Sequence, residues 1–222
     1  MELTALFFGD SNTYYKRVTF KRSQSRKNNE RDKVMEKAIK DASDLNLTDR
    51  DINLLEIINE EDLTSFTFEG LKRRLKMHPE TLSRILYKLA EQEIVKKGEK
   101  GYALTSKAKK ILQSTFSNTT NPSLPLLQTY LPPQIPIKKI ISNLKGKWFN
   151  QLRWLGQSIT NNGITLKWIT ADGGKIISAF FSHGKLHIEA KMITENDINN
   201  ALYASHQLMS YITKLISKTE HN

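Results

Sequence analysis

The chain has 222 residues and no cysteine. This absence excludes disulfide scaffolds, thiol catalysis and zinc sites whose ligands include thiolate. Long hydrophobic runs are also lacking, because the apolar stretch at residues 5–8 ends at Gly9 and Asp10. A membrane helix needs roughly 20 apolar residues, so we expect a cytoplasmic protein that does not enter the membrane.

Acidic residues are in deficit and are unevenly placed. Lys and Arg number 34 against 23 Asp and Glu, which gives a net charge of +11 and favours polyanionic partners such as nucleic acid. Residues 41–70 carry 1 basic and 9 acidic side chains, whereas residues 71–110 carry 12 basic and 4 acidic ones. A surface whose only role is contact with solvent would intersperse positive and negative charges. We therefore expect residues 71–110 to form a basic face.

Prolines are few, and they cluster between residues 117 and 136. Such a stretch cannot continue a helix and predicts an extended linker. We therefore divide the chain into a basic N-terminal segment with a leading helix (1–46), a first domain (47–116), the linker (117–136) and a C-terminal domain (137–222).

The first domain shows three helices, a hairpin and a fourth helix. Thr48, with Asp51 three residues later, starts a helix that ends near Glu60. The segment FEGLKRRLKM forms a second helix, in which Gly70 costs about 1 kcal/mol relative to Ala. Pro79 begins a third helix that reaches Gln92. A charged loop then joins two short apolar strands, and a last helix follows to residue 116.

The residues that show this order of elements most clearly are FEGLKRRLKMHPETLSRILYKLAEQEIVKKGEKGYALT. It resembles the winged helix-turn-helix domain of prokaryotic transcription regulators of the MarR and ArsR type. The resemblance covers residues 47–116 only, and it implies a DNA-binding domain. It also implies a small-molecule effector, for which no pocket residue can be named because the C-terminal domain matches neither family's pattern.

The third helix has the amphipathic pattern that entry into the major groove requires. Leu82, Ile85, Leu86 and Leu89 share one face, so short polar and long basic side chains lie on the other. We expect Arg84 to bond guanine, and Thr81 and Ser83 to bond phosphate. The complete set of predicted DNA-binding residues is Arg73, Arg74, Lys76, His78, Thr81, Ser83, Arg84, Tyr87, Lys88, Lys96, Lys97 and Lys100.

The C-terminal domain is predicted as α+β. Apolar residues recur at near-helical spacing over residues 138–160, with an edge strand at 149–155 as the competing interpretation. Three strands at 164–170, 175–181 and 185–191 form an antiparallel meander, and a helix begins at Thr194. The apolar stripe of that helix is either a dimer seam or a face packed on the sheet. Three tryptophans, Trp148, Trp154 and Trp168, line a ligand pocket or, more commonly, fill a core.

The whole fold is therefore expected to be α+β, with a winged helix-turn-helix domain, a small antiparallel sheet and a long terminal helix. The five histidines form no metal-type cluster, and no phosphate-binding glycine loop is present. We therefore expect no cofactor, no metal site and no enzymatic activity.

The sequence predicts a nucleoid-associated, sequence-specific regulator that binds double-stranded DNA. Its expected partners are a second copy of the chain and an effector bound by the C-terminal domain. One alternative is a winged-helix protein-interaction module in a larger complex. Another is an origin-binding factor of the replication-initiator type.

Overall fold

The computed structural model describes residues 47–115, 123–193 and 198–220. These residues form six α-helices and one eight-stranded antiparallel sheet, so the predicted α+β class is confirmed. The leading helix expected before residue 47 lies outside the described residues. No helix within the described ranges is long and apolar enough to cross a membrane.

The first half contains the helices and the hairpin that the sequence predicts, together with one further short strand. Thr48 and Asp51 cap the first helix reciprocally, since each backbone N–H donates to the other's side chain. The elements are α1 (Asp49–Glu60), β1 (Ser65–Phe66), α2 (Phe68–Leu75), α3 (Pro79–Glu91), β2 (Val95–Gly98), β3 (Gly101–Leu104) and α4 (Ser106–Thr115).

The second half consists of β4 (Leu124–Tyr130), α5 (Ile137–Leu144), β5 (Leu152–Thr160), β6 (Gly163–Thr170), β7 (Lys175–Ser182), β8 (Lys185–Met192) and α6 (Ile198–Glu220). The three-stranded meander is confirmed as β6–β8, and β5 extends it to four strands. The terminal helix is also confirmed from Ile198, whereas its predicted start at Thr194 lies outside the described residues. Its central residues Leu208 and Ile212 are fully buried against the sheet, which favours packing over a dimer seam for that part of the stripe.

The helical interpretation of residues 138–160 is wrong beyond Leu144. β5 occupies residues 152–160 as an inner strand, with β1 on one side and β6 on the other. Trp154 enters one core and Leu155 enters the other, and the pairing register shifts between Trp154 and Gly156. A bulge of this kind interrupts the alternation of apolar and polar residues along a strand. Because the strand is also buried on both faces, its apolar residues recur at a spacing that resembles that of a helix.

The segment predicted as a linker is only partly a connection. Its residues 124–130 are extended, as predicted, but they form β4 and pair with β8 at one edge of the sheet. The register shifts between Pro125 and Leu127. Proline lacks an N–H and is tolerated at an edge or a bulge, which is the position that Pro125 occupies.

One continuous sheet joins the two halves that the sequence predicts as separate domains. The strand order is β2-β3-β1-β5-β6-β7-β8-β4. Ser65 of β1 pairs with Ala103 on one side and Gln157 on the other, and Phe66 pairs with Tyr102 and Gly156. The two-residue strand β1 is therefore the only described strand that bridges the hairpin and the meander.

Two cores lie on opposite faces of the sheet. The first comprises the apolar faces of α1–α4 together with Leu155, Ile169 and Ile176. The second lies beneath α5 and α6 and contains Trp154 and Trp168. Trp168 is fully buried, and its indole N–H donates to the carbonyl of Lys147 at 2.9 Å. These two tryptophans therefore have the core role that the sequence analysis considered the commoner one.

An ion-pair cluster around Glu61 connects the halves beside β1. The Glu61 carboxylate, 1% exposed, lies 3.0 Å from Arg74 and 2.7 Å from Lys191, which belong to different halves. Lys167 donates to the Glu61 backbone carbonyl at 2.5 Å. Burial lowers the pKa of Lys167 below its ordinary value, although Glu61 and Asp62 act in the opposite direction. Removal of one partner from such a buried group leaves uncompensated charge.

Close backbone approach explains two glycines at the junction. A Cβ at Gly70 of α2 would lie 2.7 Å from the Leu155 Cα, so glycine lets this helix rest directly on β5. A Cβ at Gly156 would collide with the carbonyl oxygen of Ser65 and lie 2.9 Å from the Phe66 Cα. In both cases the obstructing atoms are backbone atoms, which cannot move aside cheaply.

We predict that Gly156→Ala lowers the free energy of unfolding by about 1–3 kcal/mol, because overpacking at a rigid contact forces strands β1 and β5 apart. Urea unfolding measures this change. Gly98→Ala is the matched control, since its Cβ would meet only Gly101 O, at 3.8 Å. Equal stability of the two variants would contradict the assigned role of the β1–β5 contact.

Candidate nucleic-acid interface

Helix α3 exposes a polar ridge that the second half of the protein leaves uncovered. Leu82, Leu86 and Leu89 are fully buried on its inner face. On the outer face the Arg84 side chain is 79% exposed and Tyr87 is 68% exposed, with Ser83 also exposed. Thr81, by contrast, is half-buried.

The start of α3 is fixed by local chemistry. His78 is the N-cap, and its Nδ1 accepts a hydrogen bond from the Glu80 N–H at 3.4 Å. Pro79 occupies the first turn, where a missing N–H costs nothing. Lys76 ends α2 in the left-handed conformation, with φ 51°, and thereby turns the chain toward α3. Lys76 and His78 are both exposed and line one cavity of about 650 Å³ beside the β6–β7 turn.

The charges of α3 are largely compensated within the protein. Arg84 pairs with Glu80 at 2.5 Å, and Lys88 pairs with the buried Asp51 at 2.7 Å. A hydrogen bond to Glu91 raises the pKa of Tyr87. The exposed ridge is therefore polar but carries little net charge, in contrast to the strongly basic face that the sequence analysis expects.

A cluster of uncompensated positive charge lies on the β2–β3 hairpin. Lys96, Lys97 and Lys100 are all exposed, and none of them forms an ion pair with a described residue. Glu99 is the one acidic side chain in the hairpin. Because β2 follows α3 directly through Gln92–Ile94, the lysines stand next to the C-terminal end of the ridge.

The three basic residues predicted on α2 have different roles. Arg74 does not join the exposed surface, because its side chain is 11% exposed and pairs with both Glu60 and Glu61. Arg73 bonds Glu69, and its guanidinium lies 5.7 Å from the centroid of the Trp148 ring. Of the three, Lys76 is the exposed cation nearest α3 in sequence.

A larger groove, which the sequence analysis missed, lies beside the hairpin. It encloses about 1170 Å³ between β2–β3 and the connection from α5 to β5. That connection supplies Lys145, Lys147 and Trp148, the last of which is 56% exposed. The sequence run KGKW was the available signal, but it falls within residues 138–160, for which the apolar spacing predicts a helix.

Other titratable clusters have structural explanations. In the β6–β7 turn the Thr170 hydroxyl and the Gly174 N–H both donate to Asp172 and hold its pKa below the ordinary range. This is turn chemistry, as the sequence indicates. Across the described part of the chain, no group of three or more His, Asp or Glu side chains is arranged to hold a metal ion.

The Lys88–Asp51 pair predicts a pH-dependent stability. Burial alone would raise the pKa of Asp51, but hydrogen bonds from Lys88 and Thr48 outweigh burial and lower the pKa below 3.8. The stabilisation is therefore present above pH 3.8 and is lost as the pH falls through the lower, folded-state value.

We expect Asp51→Asn to lower the free energy of unfolding at neutral pH by about 1.5–3 kcal/mol, the range for hydrogen bonds to charged groups. In urea unfolding the difference from the original protein should shrink below pH 3.8. Asp49→Asn, an exposed change in the same helical turn, serves as the control. A difference of constant size at all pH values would contradict this assignment.

Comparison with known proteins adds no family to this description. No protein-family model matches the chain, and neither the curated proteins nor the solved structures provide a match. Any functional conclusion therefore depends on the residues and the geometry described above.

Proposed function

We propose that residues 47–115 are a winged helix that binds double-stranded DNA, and that the protein is a sequence-specific transcription regulator. In this proposal α3 is the recognition helix and the β2–β3 hairpin is the wing. The observation that carries the proposal is the exposed ridge of α3 adjoining a hairpin with three exposed lysines. A helix that reads the major groove needs a buried apolar face, exposed polar side chains and nearby phosphate contacts.

The pairing of Arg84 with Glu80 is compatible with a role in base recognition. Exposed pairs four residues apart on a helix contribute only about 0.3–0.5 kcal/mol. A bidentate contact between arginine and guanine contributes about 1–3 kcal/mol of discrimination. DNA can therefore replace the carboxylate as the partner of Arg84.

Phosphate contacts are assigned to the hairpin. Each phosphate neutralised on a duplex contributes about −0.9 to the slope of log affinity against log salt. Lys97 and Lys100 supply two such contacts, with Lys76 and Ser83 as further donors near α3. Lys96 alternates with Lys97 along β2 and lies on the opposite face of the sheet. Arg74 and Lys88 are already ion-paired within the protein, so we assign them structural roles.

Dimerisation and effector binding belong to the same proposal. A two-fold symmetric homodimer would recognise a palindromic operator with half-sites about 10–10.5 base pairs apart or at multiples of that spacing. The C-terminal half supplies the assembly or ligand-sensing surface. Ile198, Leu202 and Tyr203 of α6 are exposed apolar residues that suit the contact between copies.

One observation favours the second candidate, a protein-interaction module. The ridge of α3 is nearly neutral and presents the exposed ring of Tyr87, and tyrosine is enriched at protein interfaces. This candidate predicts little affinity for duplex DNA at moderate salt. The two functions therefore differ in a single binding measurement.

The test uses duplex sites selected by the full chain from a random-sequence library. Fluorescence anisotropy then compares a selected duplex with a scrambled one. We expect Arg84→Ala to reduce the preference for the selected site by roughly 5- to 150-fold, which corresponds to 1–3 kcal/mol.

The double variant Lys97→Gln/Lys100→Gln should weaken both duplexes alike and reduce the salt slope by about 1.8, since two phosphate contacts are lost. Lys214→Gln/Lys218→Gln on α6 removes the same charge elsewhere and should change neither property. Absence of any selected site, or full retention of binding by both test variants, would overturn the proposal and favour the protein-interaction module.

A further inference from the structure

The groove beside the hairpin lies on the sheet face opposite to α3. Lys96 pairs with Ala103, Ala103 with Ser65 and Ser65 with Gln157, so these four residues form one cross-strand row. All four line the groove. The neighbouring row contains Phe66, which is buried in the same core as the inner face of α3. Because successive residues of a strand point to opposite faces, the groove floor and α3 are on opposite sides of the sheet.

The walls of this groove are basic. Five lysines line it: Lys96, Lys97 and Lys100 from the hairpin, and Lys145 and Lys147 from the opposite wall. Glu69 is the single carboxylate among the lining residues, and it is already paired with Lys72 at 2.7 Å and Arg73 at 3.3 Å. The charge of the groove therefore complements a polyanion.

The wall formed by the α5–β5 connection is held in place by buried structure. The Lys147 carbonyl accepts the indole N–H of the fully buried Trp168. The Lys147 N–H donates to the Leu144 carbonyl at 3.2 Å, and Leu144 is also fully buried. Lys145, Lys147 and Trp148 are consequently presented from a backbone that two buried residues anchor.

The groove also offers a stacking surface. Trp148 lines it and is 56% exposed, while the guanidinium groups of Arg153 and Arg73, which do not line the groove, lie 4.8 and 5.7 Å from its ring centroid. Unpaired bases stack on aromatic rings and on guanidinium planes.

We propose that this groove binds a single-stranded segment of nucleic acid, with phosphates on the lysines and bases at Trp148. This inference goes beyond the proposed function, in which α3 reads duplex DNA from the other side of the sheet. In a duplex the bases are stacked internally and cannot reach an exposed tryptophan at the wall of a concave groove. A single strand exposes both its phosphates and the faces of its bases.

The experiment uses the full chain and a labelled oligothymidine of about 12 nucleotides, within the range bound by single-strand sites. Anisotropy measures its affinity and that of a blunt duplex. We expect Lys145→Gln/Lys147→Gln to weaken oligothymidine binding roughly tenfold or more and to reduce its salt slope by about 1.4, since two phosphate contacts are lost. Duplex affinity should stay within about twofold, and Lys214→Gln/Lys218→Gln should change neither affinity.

Tryptophan fluorescence provides an independent measurement. Trp168 is fully buried, and Trp154 lines the groove but is only 8% exposed, so most of the quenching by oligothymidine should come from Trp148, which is 56% exposed. We expect quenching in the original protein and its loss in Trp148→Phe, whose remaining ring keeps part of the affinity. No binding of oligothymidine, equal weakening of both probes by the lysine variant, or unchanged quenching in Trp148→Phe would each overturn the proposal.

Failure of this inference can be distinguished from failure of the proposed function. Arg84→Ala should alter the choice among duplexes and leave oligothymidine binding unchanged. If no duplex is preferred but the lysine and tryptophan variants behave as expected on the single strand, the groove assignment stands and the regulator assignment fails. If a duplex is preferred but the lysine and tryptophan variants bind the single strand unchanged, the regulator assignment stands and the groove assignment fails.

Discussion

The architecture depends on the pairing of β1 with strands on both of its sides. Ser65 and Phe66 are only two residues, yet they complete the hairpin sheet and extend it into the meander. The glycine opposite Phe66 permits this close approach, and the ion pairs of Glu61 hold α2 and β8 beside it. Because buried ion pairs of this kind stabilise only when every partner is present, the junction requires both halves of the chain.

Sharing one sheet gives the two proposed binding surfaces fixed relative positions. The ridge of α3 belongs to the core on one face, while the groove and the second core lie on the other face. The hairpin contributes to both surfaces, because Lys96 lies in the row of the groove floor, whereas Lys97 lies in the row of Phe66, on the α3 side. The C-terminal half thus supplies part of a candidate binding site, whereas the sequence analysis gave it dimerisation or effector binding alone.

Features set by neighbouring residues could be predicted, and those set by distant contacts could not. The leucine stripe of α3, the capping of α1 and the β6–β8 meander follow from local periodicity and turn residues. β5 was misread because it is buried on both faces and contains a bulge, and β1 is too short to show any alternation.

The structural role of Arg74 depends on its pairing with Glu61, whose other partner, Lys191, is 130 residues from Glu61 in sequence. The low net charge of the α3 ridge also depends on a distant contact, because Lys88 pairs with Asp51 on another helix. The sequence alone therefore did not predict it.

The position of the hairpin at the end of the sheet has one more consequence. Among the described strands β2 has a neighbour on one side only, so its outer backbone groups could pair with the same strand of another molecule. Lysines on such a strand oppose that pairing through mutual repulsion and strong hydration, and Lys96 and Lys97 occupy its two central positions. The cations proposed to hold phosphate therefore also limit self-association, and neutralising them should make the protein more prone to aggregate at high concentration.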